Sequence, residues 1–287
     1  MPFTVTDLLR LLRLERQDQW QFSGYSPTCG AQRVYGGQIL GQSIMAMGQT
    51  VPEAHRLHSM QGYFLQPGDV HERIDFKVQP IREGRNFSTR LLLACQGERT
   101  IFSGAASFHR IEGEYRRLAP IPGVAPASEM ISEAEYYTDE LPLITGSNSH
   151  TPLLMSLFER RSEHWRSWIN PGPREPVNGI WCRLREPCGD DPLLCQALLA
   201  YICDLDLMNT AMRPRGVGAL DPSAHAASLD HAMWFHAPVQ PDRWFYYDLS
   251  GPSAVNNRGL GCGSLFQDGL LVATAMQEGL LRERRSR

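Results

Sequence analysis

Apolar and polar positions change their spacing several times along the chain, and each change marks an element. Leu8 to Leu14 alternates Leu with Arg in a way that suits a short amphipathic helix, with Asp7 placed to cap it. After a stretch rich in Gly, Ser and Pro, Val34-Tyr35-Gly36-Gly37 opens a segment running to Met47. Its Ile39, Leu40, Ile44, Met45 and Met47 fit a helical face, and its Gly and Ala residues allow close packing. The period then shortens to two. His58 to Leu65, Ile74 to Gln79, Ser88 to Cys95 and Thr100 to His109 read as strands. Turn signals at Pro67-Gly68-Asp69, Glu83-Gly84 and Gln96-Gly97 separate them. One helix followed by adjacent strands predicts α+β with an antiparallel sheet.

From about Glu112 to Pro152 the chain is rich in Pro, Glu, Ser and Tyr and loses sustained periodicity, so it reads as a connector. Leu153 to Ile169 has mixed helical character. Trp181 to Arg185 looks like a strand, and Asp191 starts a clear helix, Pro192 to Cys203. Strands recur at Ser228 to Phe235, Trp244 to Leu249, Gly259 to Phe266 and Leu270 to Gln277. The second half thus repeats the order of the first. His58-Ser59-Met60, Phe64 and Pro67 line up with His231-Ala232-Met233, Phe235 and Pro238, and the hairpin at Gln96-Gly97 has a partner at Asp268-Gly269. The same element order twice favours duplication. Expected boundaries are an N-terminal unit over 1–110, a connector over 111–170 and a C-terminal unit over 171–287.

With 287 residues, 42% hydrophobic and 21% charged, the chain has ordinary globular composition and ample length for a core. A net charge of −3 calls for neither nucleic acid nor an anionic membrane as partner. Lys77 is the only lysine. The remaining basic residues are Arg, whose planar fork suits phosphate, although a biased genomic composition is the better explanation of the excess. Seven cysteines (29, 95, 182, 188, 195, 203 and 262) lack the spacing of a disulfide framework and read as reduced, buried small hydrophobes. No secretory h-region interrupts the Leu/Arg alternation near the start, and Arg284-Arg285-Ser286-Arg287 is not a peroxisomal tripeptide. No apolar run approaches the roughly 20 residues of a membrane span. A cytoplasmic protein is expected.

Most short catalytic motifs are missing. No G-x-S-x-G elbow occurs, since Gly41-Gln42-Ser43-Ile44-Met45 lacks the second glycine. Gly259-Leu260-Gly261-Cys262-Gly263 lies within a strand-like run rather than opening a helix, which argues against a dinucleotide site. Neither H-E-x-x-H nor C-x-x-C is present, and Cys182 and Cys188 have no His at finger spacing. Cys203 is accounted for by the apolar face of its helix. Asp204 stands out because it ends the apolar run Leu198 to Cys203. A carboxylate at a helix C-terminus among apolar residues would have a raised pKa and suit general-base work. It could equally face solvent at a frayed end, as could Asp206. His58 and His231 occupy matching strand starts, as bases or as structural residues. Asp230 and His231 cannot act on one pocket, because adjacent strand residues face opposite ways.

Several blocks in order resemble the acyl-CoA thioesterase II family. They are Arg33-Val34-Tyr35-Gly36-Gly37-Gln38, His58-Ser59 with Tyr63 to Asp69, and Gly84 to Arg90, followed by Asp230 to His236 and Gln277-Glu278-Gly279. The match runs from about Leu8 to Arg282. The resemblance implies a double hotdog, two helix-plus-antiparallel-sheet units sharing one continuous sheet, and hydrolysis of fatty acyl-CoA to free acid and CoA. It implies no metal or organic cofactor, and a homo-oligomer, dimer or tetramer. It also implies a catalytic Asp, a Ser or Thr, and a Gln, which fall on Asp204, Ser228 and Gln277. Bacterial members often carry Thr at the position of Ser228; either hydroxyl can hold a water. The first helix runs into Met47-Gly48-Gln49-Thr50 without a carboxylate, so one active site per chain is expected. Two other readings stay open. A hotdog enoyl-CoA hydratase would have a His soon after the Asp, whereas Leu205 to Asn209 contains none; a non-catalytic acyl-CoA-binding protein would bind without releasing thiol.

Overall fold

The first helix, α1 (Val5–Leu12), starts on a capping box: Asp7 N–H donates to Thr4 Oγ1, and Asp7 Oδ2 accepts from Thr4 N–H. Thr4 is therefore the cap and Asp7 its partner three residues on, which moves the helix earlier than the expected Leu8–Leu14. The computed structural model describes residues 3–27, 31–113, 117–145, 150–217 and 224–283. Cys29 and the basic tail 284–287 lie outside that set.

The short strands β1 (Glu15–Arg16) and β2 (Gln21–Gly24) precede the long helix α2 (Gly36–Gly48). Strands β3 (His55–Phe64), β4 (Ile74–Glu83), β5 (Phe87–Gln96) and β6 (Arg99–Arg110) complete the first unit. Between the halves come three short helices, α3 (Glu133–Tyr136), α4 (Leu141–Thr145) and α5 (Thr151–Leu157), and then β7 (Phe158–Arg161). The second unit holds β8 (Val177–Leu184), α6 (Pro192–Ala211), β9 (Ala224–Ser228) and β10 (Asp230–Phe235). It closes with β11 (Phe245–Val255), β12 (Arg258–Gln267) and β13 (Leu270–Glu283).

All the described strands join one antiparallel sheet, in the order β1-β2-β4-β5-β6-β3-β10-β13-β12-β11-β8-β7, with β9 paired to β13. The halves meet where β3 pairs β10, Met60 opposite Met233. Both long helices lie against the inner face and run antiparallel, and their apolar residues form one core with it. Gly37 permits the close crossing, since a Cβ there would stand 2.1 Å from the Tyr201 carbonyl oxygen. This is the double hotdog. β7 falls within the stretch read as connector and extends the sheet edge by pairing β8.

The repeat can now be read from register. The β5–β6 ladder shifts between Ala94 and Cys95, and the β12–β13 ladder between Leu265 and Phe266. Gln96 accepts from Asp69 N–H (2.8 Å) and donates to Asp69 O (2.7 Å); Gln267 does the same with Gln240, at 2.9 Å each. Ala94 to Leu265, Gln96 to Gln267 and Asp69 to Gln240 are each 171 residues apart. His58 then corresponds to Leu229, and His231 to Met60. The expected pairing of the two histidines is off by two residues, one full pleat, which hydrophobic alternation cannot detect.

Helix α6 also departs from expectation, continuing past Cys203 to Ala211. Asp204 and Asp206 look like an end signal in sequence but are both buried in the helix interior. Arg160 of β7 meets Asp206 at 2.7 Å and makes its burial tolerable. With its continuation to Arg215, this helix is long and apolar enough to cross a bilayer, contrary to the reading of apolar runs; 78% of the window is buried inside the fold, as in a core helix.

Candidate active site

Asp204, Ser228 and Gln277 come from three separate elements and meet at one point. Gln277 lies mid-strand in β13, on the inward face and fully buried. Its Nε2 donates to Asp204 Oδ1 at 2.6 Å and to Ser228 Oγ, at the end of β9, at 2.8 Å. Gly37, in the first turn of α2, donates its backbone N–H to Asp204 Oδ2 at 3.0 Å. Each carboxylate oxygen thus has a donor, one from each half of the molecule. No side chain caps α2, so the partial positive charge of its amino end faces this carboxylate directly.

Burial pushes Asp204 up to about 6, and the bonds from Gln277, Gly37 and Ser228 only partly offset that. The raised value expected from a helix end is present, but its cause is desolvation, because Asp204 is not at the end of its helix. Gln277 Oε1 is buried and has no partner among the described residues.

A cavity of about 680 Å³ opens beside this group, lined by Gly36, Ile39, Phe64, Ile101, Ser228 and the exposed Arg33, among others. A Cβ on Gly36 would stand 2.7 Å from Asp204 Oδ2, so only glycine leaves the carboxylate reachable from the cavity. Tyr35 anchors the turn before α2 by donating its hydroxyl to Tyr201 O at 2.8 Å. His150 packs on Tyr35 with ring centroids 5.2 Å apart and donates Nε2–H to Arg33 O at 3.0 Å. Burial holds His150 below its usual pKa, so near neutrality it is a neutral wall of the cavity. In the sequence Tyr35 and Gly37 stand out as the opening of the first long helix and as part of a family block, whereas His150 carries no signal at all.

The other candidates lie apart or face elsewhere. His58 bonds Ser107 Oγ at 2.8 Å and lines a different cavity. His231 is buried on the inner face of β10, burial pushes its pKa down to about 4, and neither ring nitrogen has a partner among the described residues. Asp230 instead accepts from Glu278 N–H at 2.8 Å. Cys203 is buried, with its pKa raised well above that of a free thiol, which is unsuitable for a nucleophile. Among the described residues no group of three or more His, Cys, Asp or Glu is placed to hold a metal ion.

Two family models match the chain, one described as acyl-CoA thioesterase over residues 158–280 and one as acyl-CoA thioesterase N-terminal domain over residues 25–109. Acyl-CoA thioesterase 2 of Haemophilus influenzae is 33% identical over 98% of this chain and 99% of its own length. Acyl-coenzyme A thioesterase 8 of Homo sapiens is 32% identical over 95% of this chain and 88% of its own. The crystal structure of an acyl-CoA thioesterase II, TesB2, from Mycobacterium marinum matches with a TM-score of 0.78 at 30% identity, covering 98% of this chain and 99% of that one.

Proposed function

The chain belongs to the acyl-CoA thioesterase family and is a thioester hydrolase, and from that premise we propose that Asp204, Ser228 and Gln277 activate the water that cleaves a fatty acyl-CoA. The observation that carries this is the Gln277 amide nitrogen bridging Asp204 and Ser228, a linkage that fixes a base and a hydroxyl within reach of one small molecule.

A thioester carbonyl is electrophilic and thiolate is a good leaving group, so the enzyme's task is to orient water and stabilise charge. Water held by Ser228 Oγ and Gln277 Oε1 gives a proton to Asp204 as its oxygen attacks the carbonyl carbon. The tetrahedral oxyanion lies against the amino end of α2, whose partial positive charge stabilises it. The C–S bond then breaks, and the departing CoA thiolate takes the proton back from Asp204, leaving free acid and thiol. The acyl chain lies along Ile39, Phe64 and Ile101, and Arg33 at the rim faces the CoA phosphates. Exposed apolar groups on the outer face, Tyr63, Leu91, Leu93 and Met276, support association into a homo-oligomer.

Thiol release from purified acyl-CoA tests the assignment. Asp204→Asn is expected to lower kcat by about 10²-fold or more, the range for loss of a general base. A variant with the wild-type rate would refute it.

A further inference from the structure

The surroundings of the candidate site occur a second time, at the other end of the helix pair. Strand positions correspond at 171 residues. Helix positions correspond at 156, from the N-caps Tyr35 and Asp191 and from Gly41, which packs against Ala197 at the crossing. Through these offsets Ile39, Phe64, Pro67 and Ser228 of the first cavity become Cys195, Phe235, Pro238 and Leu57. All four of those residues line a second cavity, of about 430 Å³.

The polar trio is not repeated with it. Asp204, Ser228 and Gln277 correspond to Gly48, Leu57 and Ala106. Leu193, the counterpart of Gly37, occupies the space a side chain at position 48 would need: a Cβ on Gly48 would stand 2.4 Å from Leu193 Cδ1. The second cavity therefore keeps the walls of the first without its base, hydroxyl or amide. What it has instead is Gln196 on α6, whose Nε2 donates to Leu57 O at 2.8 Å. Gln196 Oε1 is buried and has no partner among the described residues. It lines the cavity together with Arg56 and the apolar Val239. A buried acceptor without a donor favours a ligand that brings an N–H.

We propose that this second cavity binds an acyl-CoA without cleaving it, with the acyl chain against Leu57, Phe235 and Val239 and an amide N–H of the pantetheine arm on Gln196 Oε1. The proposal rests on reading the first cavity as the acyl-thioester site, since the ligand class is carried over by the repeat. It makes each chain bind two acyl-CoA molecules and hydrolyse at one place.

Calorimetric titration of the full chain with S-dodecyl-CoA, a thioether that cannot be hydrolysed, tests it alongside thiol-release assays. Two equivalents per chain are expected for the wild type. Ala237→Trp, which fills the second cavity, is expected to leave one equivalent and an unchanged rate of thiol release. Gln196→Ala is expected to weaken the second equivalent several-fold by removing its hydrogen-bond partner, again with thiol release unchanged, and serves if the tryptophan variant fails to fold. A single equivalent that competes with hydrolysis would overturn the proposal while leaving the first site intact, and so would two equivalents unaffected by either variant. A single equivalent that leaves hydrolysis uninhibited and vanishes in Ala237→Trp would instead support the second site and refute the reading of the first.

Discussion

Asp204 is a buried carboxylate that is reluctant to ionise, and the role proposed for it depends on that. Burial lifts its pKa to about 6, and ionisation of a base must precede its use. Below that value Asp204 is protonated and cannot accept a proton from water; above it the carboxylate is free to take the role proposed for it. kcat/KM for acyl-CoA hydrolysis is therefore expected to fall about tenfold per pH unit below the transition, with the limb near 6 rather than near the roughly 3.9 of a free aspartate. A pH–rate profile with a flat response down to pH 5 would count against Asp204 as the base. Local sequence pattern pointed to this residue for the wrong reason, because two acids in an apolar run look like a helix end. Only the tertiary partners, Arg160 for Asp206 and Gln277 for Asp204, explain why the helix runs on through both. Ser228 and Gln277 carried no local signal, and their assignment came from the resemblance.

At the scale of elements, the region between the units was the least legible. Helices α3, α4 and α5 span only 4, 5 and 7 residues, too few for a hydrophobic period to declare itself. Their anchorage is tertiary. Arg160 of β7 bonds Glu133 of α3 at 2.7 Å and Asp206 of α6 at 2.7 Å, and all three side chains are buried. Desolvation raises Glu133 to about 7 even though Arg160 opposes the shift. Arg160→Met would strand two carboxylates in the interior, and a cost of about 3–5 kcal/mol is expected for breaking such a cluster from one side. Urea denaturation at pH 8, where both acids are ionised in the unfolded chain, should show it. A loss below about 1 kcal/mol, the scale of an exposed pair, would mean that the cluster is in contact with solvent. The long elements, by contrast, were readable because α2, α6 and the strands bury enough positions for their periods to repeat.

For the whole molecule, the order of elements and the duplication were legible, whereas the register between the halves was not. A two-residue offset preserves every inward and outward position, so His58 could be matched to His231 with no conflict in the alternation. The buried clamps Gln96–Asp69 and Gln267–Gln240 resolve it, and they make a prediction of their own. Gln96→Ala and Gln267→Ala each leave a half-buried backbone N–H, that of Asp69 or Gln240, without its partner, and leave the carbonyl only its backbone donor, from Glu72 or Arg243, so each is expected to cost about 1–3 kcal/mol. The two losses should add in the double variant, since the clamps lie in different halves and share no partner. Urea midpoints of the two single variants and the double variant would measure this; one clamp proving neutral would show that the repeat is not energetically symmetric.

The join between β3 and β10 puts both ends of the helix pair on one chain. In an assembly of two identical subunits, any change at one end of the helix pair is made at the other end too. A carboxylate gained or lost at one site is gained or lost at both. Placing both halves on one chain gives each end its own codon. Gly48 and Asp204 can then diverge, so that selection for hydrolysis at one end places no burden on what the other end becomes.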